Sequence, residues 1–426
     1  MTGCSVVPEW AGGEPEEEEI VTVKGERIAV MAKPEKILAV ESQDETITAP
    51  SSVINLYWPM QDSGLAQVQG NLVYSNRFDK IESTGIGDGE TWDIPLVTEP
   101  VIGGGALYTM DALGNITRHD IDDIDDILWQ SEALLGEDET PILGGGLAYS
   151  QNRVYATSGH GDVIALDAKS GTLLWKKAIQ IPIRSAPRIA YDRVFVLSVD
   201  NQLLALDTAT GEVFWNHRTI LETSSYLGAA APVVGGNIVI SGFSSGDVDA
   251  VRTDTGQEIW SDALVVSKRT SASTVFKGIQ GDMLIEDGVL YAGTNSGVFV
   301  ASNAQNGRRI WEQEIATTQT PWLAGSYLYI LTSDNALVAL NKRTGKVVWL
   351  RDLPADEDEP TNWFGPVMAG GNVLVVNDQE TLIEIHPSTG EMIAIHEVED
   401  DVINRPLIAK QRLYLLTRDA TIHAYQ

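Results

Sequence analysis

The stretch Val163–Trp175, VIALDAKSGTLLW, decides the fold. It reads as an apolar strand ending in Ala165-Leu166-Asp167, a turn through Gly171, and a second strand reaching Trp175 four residues past the glycine. The phrase returns as GEVFW at Gly211–Trp215, GQEIW at Gly256–Trp260, GRRIW at Gly307–Trp311 and GKVVW at Gly345–Trp349. GEMIA at Gly390–Ala394 keeps the turn and loses the tryptophan. An earlier copy ends at Trp129, with the acidic stretch Asp120–Asp126 in place of the turn. Counted from Trp129, successive copies lie 46, 40, 45, 51, 38 and 45 residues apart. That is the length of a four-stranded propeller blade, and no 3.6-residue periodicity argues for a helical repeat.

Each unit also opens alike: a short strand, a Gly/Asp turn, then a strongly apolar strand such as Tyr327–Leu331, and a third such as Ala336–Leu340. Strands apolar on both faces fit sheets stacked blade against blade. At the end of an outer strand, an indole can cross the gap to the turn of the next blade. Burying it removes on the order of 200 Å² from water, worth roughly a few kcal/mol. Trp129, Trp175, Trp215, Trp260, Trp311 and Trp349 are therefore expected to be structural docking residues. An alanine ten residues before five of them (Ala165, Ala205, Ala250, Ala301, Ala339) offers a small neighbour in the same unit.

Units close at 129, 175, 215, 260, 311, 349 and 394, which makes seven. An eighth starts at Arg405-Pro406 and stops at Gln426, one strand short. The missing strand is expected from Phe78–Ser83, which would close the ring and remove exposed edges. The expectation is an all-β, eight-bladed propeller of four-stranded antiparallel blades, its last blade closed by an N-terminal strand. It divides into 1–50, an anchor and acidic flexible linker; 51–99, an arm with the closing strand; and 100–426, the propeller.

Composition narrows the function. Acidic residues outnumber basic ones 60 to 29, for a net charge of −31. A nucleic-acid binder needs the opposite sign on one face, so that class is set aside. The single cysteine, Cys4, excludes internal disulfides and multi-cysteine zinc sites. Six histidines show no metal-ligand spacing, and no catalytic, cofactor or metal residue is assigned. Small residues before Cys4, then Ser5 and an acidic linker holding Glu16–Glu19, resemble the end of a bacterial lipoprotein signal, with Cys4 as the lipidated residue; the other reading is an ordinary exposed thiol near a floppy terminus.

The phrase A-x-[DN]-x-x-x-G-x-x-x-W, over 100–426, is similar to the tryptophan-docking repeat of propellers of the pyrroloquinoline-quinone type. Within them the chain resembles the BamB family of outer-membrane protein assembly factors, in its alphaproteobacterial form. The features that carry this are Gly3-Cys4-Ser5, Trp58-Pro-Met-Gln61, Gly64, Gly70-Asn-Leu72, Gly85–Gly89 and Thr320-Pro-Trp-Leu-Ala-Gly325. The departures are the acidic turn Asp120–Asp126, Ala394 and the acidic surface. The resemblance implies a non-enzymatic lipoprotein at the periplasmic face of the outer membrane, held there by its lipid alone and needing no cofactor. Its implied partners are the periplasmic POTRA domains of the BamA barrel insertase and unfolded outer-membrane proteins. In the family, loops leading into the middle blades touch BamA. Here these are about Thr219–Gly228 and Thr270–Gly281, with Tyr226 and Leu227 as apolar anchors or as residues packed over the blade edge.

Two rivals stand beside this. One is a PQQ-dependent periplasmic dehydrogenase, whose large relatives clamp the quinone with a vicinal cysteine pair and hold calcium with Glu, Asn and Asp. One cysteine rules out that pair, and Asp122, Asp123, Asp125 and Asp126 form a run rather than a cage. The other is an interaction propeller serving a different periplasmic partner.

Overall fold

The structure, a computed structural model, describes residues 40, 47–61, 70–92, 94–134, 144–219, 230–264, 278–356 and 359–426. All belong to the compact unit Leu38–Gln426. Cys4, Gly64, Tyr226 and Leu227 lie outside the described residues, as does most of each expected partner loop.

Within the repeat, local chemistry sets the turn. Asp167 Oδ1 accepts the Ser170 amide at 2.8 Å, and the Gly171 amide donates to the Asp167 carbonyl at 2.9 Å. Gly171 has φ +71°, the left-handed conformation glycine adopts without a Cβ penalty. Just before this turn the ladder slips by one residue: Ala165 faces Trp175, but Leu166 faces Leu173. The same slip follows Ala205, Ala250, Ala301 and Ala339, each directly opposite its tryptophan. The alanine is thus the cross-strand partner of the indole, and the bulge twists the outer strand.

These units build a propeller of four-stranded blades. Sequential antiparallel sheets span 101–131, 145–178, 188–218, 233–263, 284–313 and 322–352. Several first strands are fully enclosed; Val101–Gly103, Arg188–Ala190 and Trp322–Ala324 are buried throughout. Adjacent first strands touch one another, so they line a common axis. Outer strands such as Leu173–Ala178 expose alternate residues to solvent. No α-helix occurs among the described residues.

The expectation of eight four-stranded blades needs correction at one place. Seven sheets have four strands, but the sheet at 363–397 belongs to a six-stranded one. Ser52–Val53 and Asn71–Leu72 add to it in parallel, through Leu72 opposite Ala369. The cause is the arm, which runs beside the long first strand Trp363–Ala369. Pieces two residues long carry no periodic signal in sequence.

The remaining sheet joins Leu407–Ala409, Arg412–Leu416 and Thr421–Tyr425 to Lys80–Gly85, with Ser83 opposite His423. This strand begins two residues later than Phe78–Ser83. Phe78 has φ +55°, outside the extended region, and its ring stacks between His396 and Tyr425, both 4.5 Å away.

Candidate interaction face and axis

Six tryptophans share one geometry. Trp129 Nε1 donates to Ala168 O at 3.1 Å, Trp175 to Thr208 O at 3.0 Å, and Trp215 to Thr253 O at 3.1 Å. Trp260 reaches Ala304 O at 2.9 Å, Trp311 reaches Lys342 O at 2.9 Å, and Trp349 reaches Pro387 O at 2.8 Å. Each acceptor lies in the strand-three turn of the following sheet. A methyl group built on Gly171 would sit 2.8 Å from the Trp129 ring, and one on Gly345 2.7 Å from Trp311. Only a glycine lets the indole lie flat there. On the ring's other flank an aromatic from the second strand often packs, as Tyr155 does against Trp175 at 6.1 Å.

Two seams lack the indole. The strand Met392–Glu397 carries Ala394, and the sheet after it has its third and outer strands far apart in sequence, at 421–425 and 80–85. No tight turn joins them, so a tryptophan at 394 would have none to dock on. Phe78 fills this seam instead. At the next seam the closing strand places Glu82 opposite Ala424. Glu82 accepts the Ile124 amide at 3.3 Å, and Lys410 pairs with Asp122 at 2.6 Å. The acidic stretch Asp120–Asp126 is thus a polar docking turn. It is held from within by His119, whose Nδ1 donates to Ile124 O at 2.8 Å while Thr109 Oγ1 lies 3.3 Å from Nε2. His119 is fully buried, and burial pushes its pKa below the ordinary range.

The axis is filled by the arm. Trp58 bridges to Ile102, Met60 bridges to Ala148, and Asn55 Nδ2 donates to Ile408 O at 2.8 Å. Trp58 stacks on Trp322 with centroids 6.3 Å apart, and Trp322 Nε1 donates to Gly70 O at 2.8 Å. Both rings are fully buried. The two phrases singled out in the sequence, Trp58–Gln61 and Thr320–Gly325, therefore meet at the centre of the molecule.

Connections between successive sheets and the turns after second strands share one face, as antiparallel meanders require. At the axis on this face lies a polar cavity of about 170 Å³, lined by Gln61, Glu99, Gln280, Thr320, Asn404 and Arg405. Beside it runs a buried network. Arg188 donates to Asp282 Oδ2 at 2.7 Å, to Pro232 O at 2.9 Å and to Gln61 O at 3.2 Å. Asp282 Oδ1 accepts the Ala231 amide at 2.5 Å, and the Asp282 amide donates to Thr320 Oγ1 at 2.7 Å. The network ties four sheets, those at 188–218, 233–263, 284–313 and 322–352, and the arm together. A pair this buried is expensive to break, about 3–5 kcal/mol when one partner is removed. Sequence reasoning missed it; the only signal was an arginine in the apolar strand Arg188-Ile-Ala190.

A second cavity on the same face, about 380 Å³, is lined by Glu90, Glu380, Asp400, Asp401 and Asp419 around Arg418. Arg418 lies 3.2 Å from Glu90 and 3.2 Å from Asp401. Five carboxylates around one arginine give this part of the face a negative field.

The chain matches a family model described as outer membrane protein assembly factor BamB over residues 112–351 and 334–426. It is 26% identical over 356 residues to "Outer membrane protein assembly factor BamB" of Yersinia pestis, covering 81% of this chain and 88% of that protein. Among solved structures it is similar to BamB from Moraxella catarrhalis, with TM-score 0.70, 20% identity, and coverage of 82% and 99% of the two chains. It is also similar to a quinohemoprotein alcohol dehydrogenase from Comamonas testosteroni, with TM-score 0.67, 14% identity, and coverage of 87% and 80%. At these identities the structural likenesses speak for the shared fold alone.

Proposed function

Because this chain belongs to the BamB family of outer-membrane protein assembly factors, we propose that it is a non-enzymatic scaffold of outer-membrane β-barrel assembly. In this reading it is tethered through a lipid on Cys4, docks on the POTRA domains of a BamA-like insertase and assists insertion of unfolded barrel proteins. The observation that carries it is the filled axis. Trp58, Met60, Leu72 and Tyr74 are buried along with the first strands of the sheets. Trp58 and its stacking partner Trp322 occupy the middle of the axis. The chain also has one cysteine, so no vicinal pair could clamp a quinone. The residues present do not fit the dehydrogenase reading, although the fold is shared with those enzymes.

We assign partner contact to the face that carries the connections between sheets, with Tyr226 and Leu227 as anchors in the connection 220–229. Counted with its arm strands, the six-stranded sheet serves as the eighth blade. The test is direct binding of the purified chain to the POTRA segment of the same organism's insertase, by interferometry. Saturable binding that weakens about tenfold or more in Tyr226→Ala with Leu227→Ala is expected, the loss typical of an interface anchor. Absence of binding overturns the assembly reading, and unaltered binding in the double variant overturns the anchor assignment.

A further inference from the structure

We propose that His217, Asp249 and Glu258 form a divalent transition-metal site that bridges the sheets at 188–218 and 233–263. His217 lies in the outer strand Val213–Arg218 of the first of these, two residues past the docking Trp215. Asp249 lies in the strand Asp247–Arg252 and Glu258 opens the strand Glu258–Ala263 of the next sheet. Their ligand atoms all fall within 4.8 Å of one another. No sequence motif links them; the propeller brings the three together across a seam.

The second observation is an orphaned oxygen. His217 Nε2 stands 2.8 Å from Asp249 Oδ2, but Asp249 Oδ1 is buried without a hydrogen-bond partner. The Asp249 side chain is only 4% exposed. A buried carboxylate oxygen left bare is costly, so an ordinary His–Asp pair leaves half the carboxylate unexplained.

A sibling pair in the same fold shows what a closed arrangement looks like. His396, two residues past Ala394, meets Glu384 Oε1 at 2.7 Å, and Asn372 Nδ2 donates to Glu384 Oε2 at 2.5 Å. There both oxygens are satisfied by the protein. At Asp249 no amide fills that role. Ser241 stands directly across the ladder, yet its hydroxyl is itself buried and without a partner. A third ligand-capable group, Glu258, stands in reach instead.

One imidazole and two carboxylates form a mixed nitrogen–oxygen set suited to zinc, cobalt, nickel or manganese; calcium would demand six or more oxygens. Zinc bonds of about 2.0–2.2 Å require the ligand atoms to close to roughly 3.3–3.5 Å from one another. The exposed Glu258 supplies that movement by rotating. A neutral imidazole with two carboxylates carries two negative charges, which a divalent ion neutralises. Three protein ligands leave a position for water. Since Trp215 docks at the same seam, the ion would act as a clamp between the two sheets.

The test uses the full chain, stripped with chelator and titrated with Co²⁺ by absorption and with Zn²⁺ by calorimetry. One ion per chain at micromolar affinity or tighter, a cobalt ligand-field band and a raised Tm are expected. His217→Gln and Glu258→Gln should each weaken binding tenfold or more. The double variant Asp400→Asn with Asp401→Asn, in the acidic cavity, should bind as the parent does. Glu258 is exposed, so Glu258→Gln also guards against loss of fold, and unchanged urea midpoints in chelator verify it. No tight ion, binding indifferent to His217→Gln and Glu258→Gln, or equal loss in the Asp400/Asp401 variant would each overturn the site, the last by showing diffuse charge attraction.

Discussion

At the scale of single residues, stability is concentrated in contacts between an indole and a bare backbone. Trp215 exemplifies it: one hydrogen bond to Thr253 O, one flank against Phe195 at 5.9 Å, the other over Gly256. Trp215→Ala should cost about 3–5 kcal/mol, by analogy with buried aromatic truncations, read from urea unfolding. Gly256→Ala attacks the same contact from the other side. Its methyl would sit 2.6 Å from the Trp215 ring at φ +70°, and the loss should be about 1–3 kcal/mol in the same assay. A different lever is His119. Burial disfavours the charged form of its ring in the folded chain and lowers its pKa below the ordinary value. An unfolded histidine takes up a proton below about pH 6.5. Between those two pKa values the unfolded state binds more protons, so the His119 contribution is complete above about pH 6.5 and declines on acidification. His119→Gln should flatten the fall in urea midpoint between about pH 7.5 and about pH 5.5, by at most about 1.4 kcal/mol per pH unit.

At the scale of elements, what was legible was whatever repeats. Strand order, turn position and the tryptophan that ends each outer strand all follow from one phrase, because each unit solves the same packing problem. The absences at Ala394 and at Asp120–Asp126 were visible as departures, but their reason was not. Both flank the sheet assembled from two distant segments, where no strand-three turn exists to receive an indole. Phe78, from the arm, and the Glu82–Ile124 and Lys410–Asp122 contacts take over there. Deleting residues 1–85 should therefore unseal the edge of Thr421–Tyr425 and give oligomers in size-exclusion chromatography with light scattering. Deleting only 1–45 should leave the mass of the intact chain's species unchanged apart from the residues removed, because the closing strand Lys80–Gly85 remains.

At the scale of the whole molecule, the central position of the arm was the least legible feature. Trp58 and Trp322 are 264 residues apart, from 322 − 58, and nothing local to either announces the other. The Arg188–Asp282 pair is equally non-local, and a lone arginine in an apolar strand does not name its partner. Asp282→Ala should cost about 3–5 kcal/mol by chemical denaturation, since it strands a buried guanidinium. Phenazine-dye assays with alcohols or sugars, after incubation with quinone and calcium, should show no reduction above a protein-free control.

Lys80–Gly85 is the outer strand of the sheet whose innermost strands lie at 407–416. A chain emerging N-terminus first therefore presents this strand long before its neighbours exist, and it must wait unpaired for more than three hundred residues, from 80 to 421. The ring therefore cannot close until the C-terminal strands have been made, whatever the earlier sheets have done. Closure comes only when the tail is complete, and until then the strand that will seal the last sheet is free to be held by a chaperone.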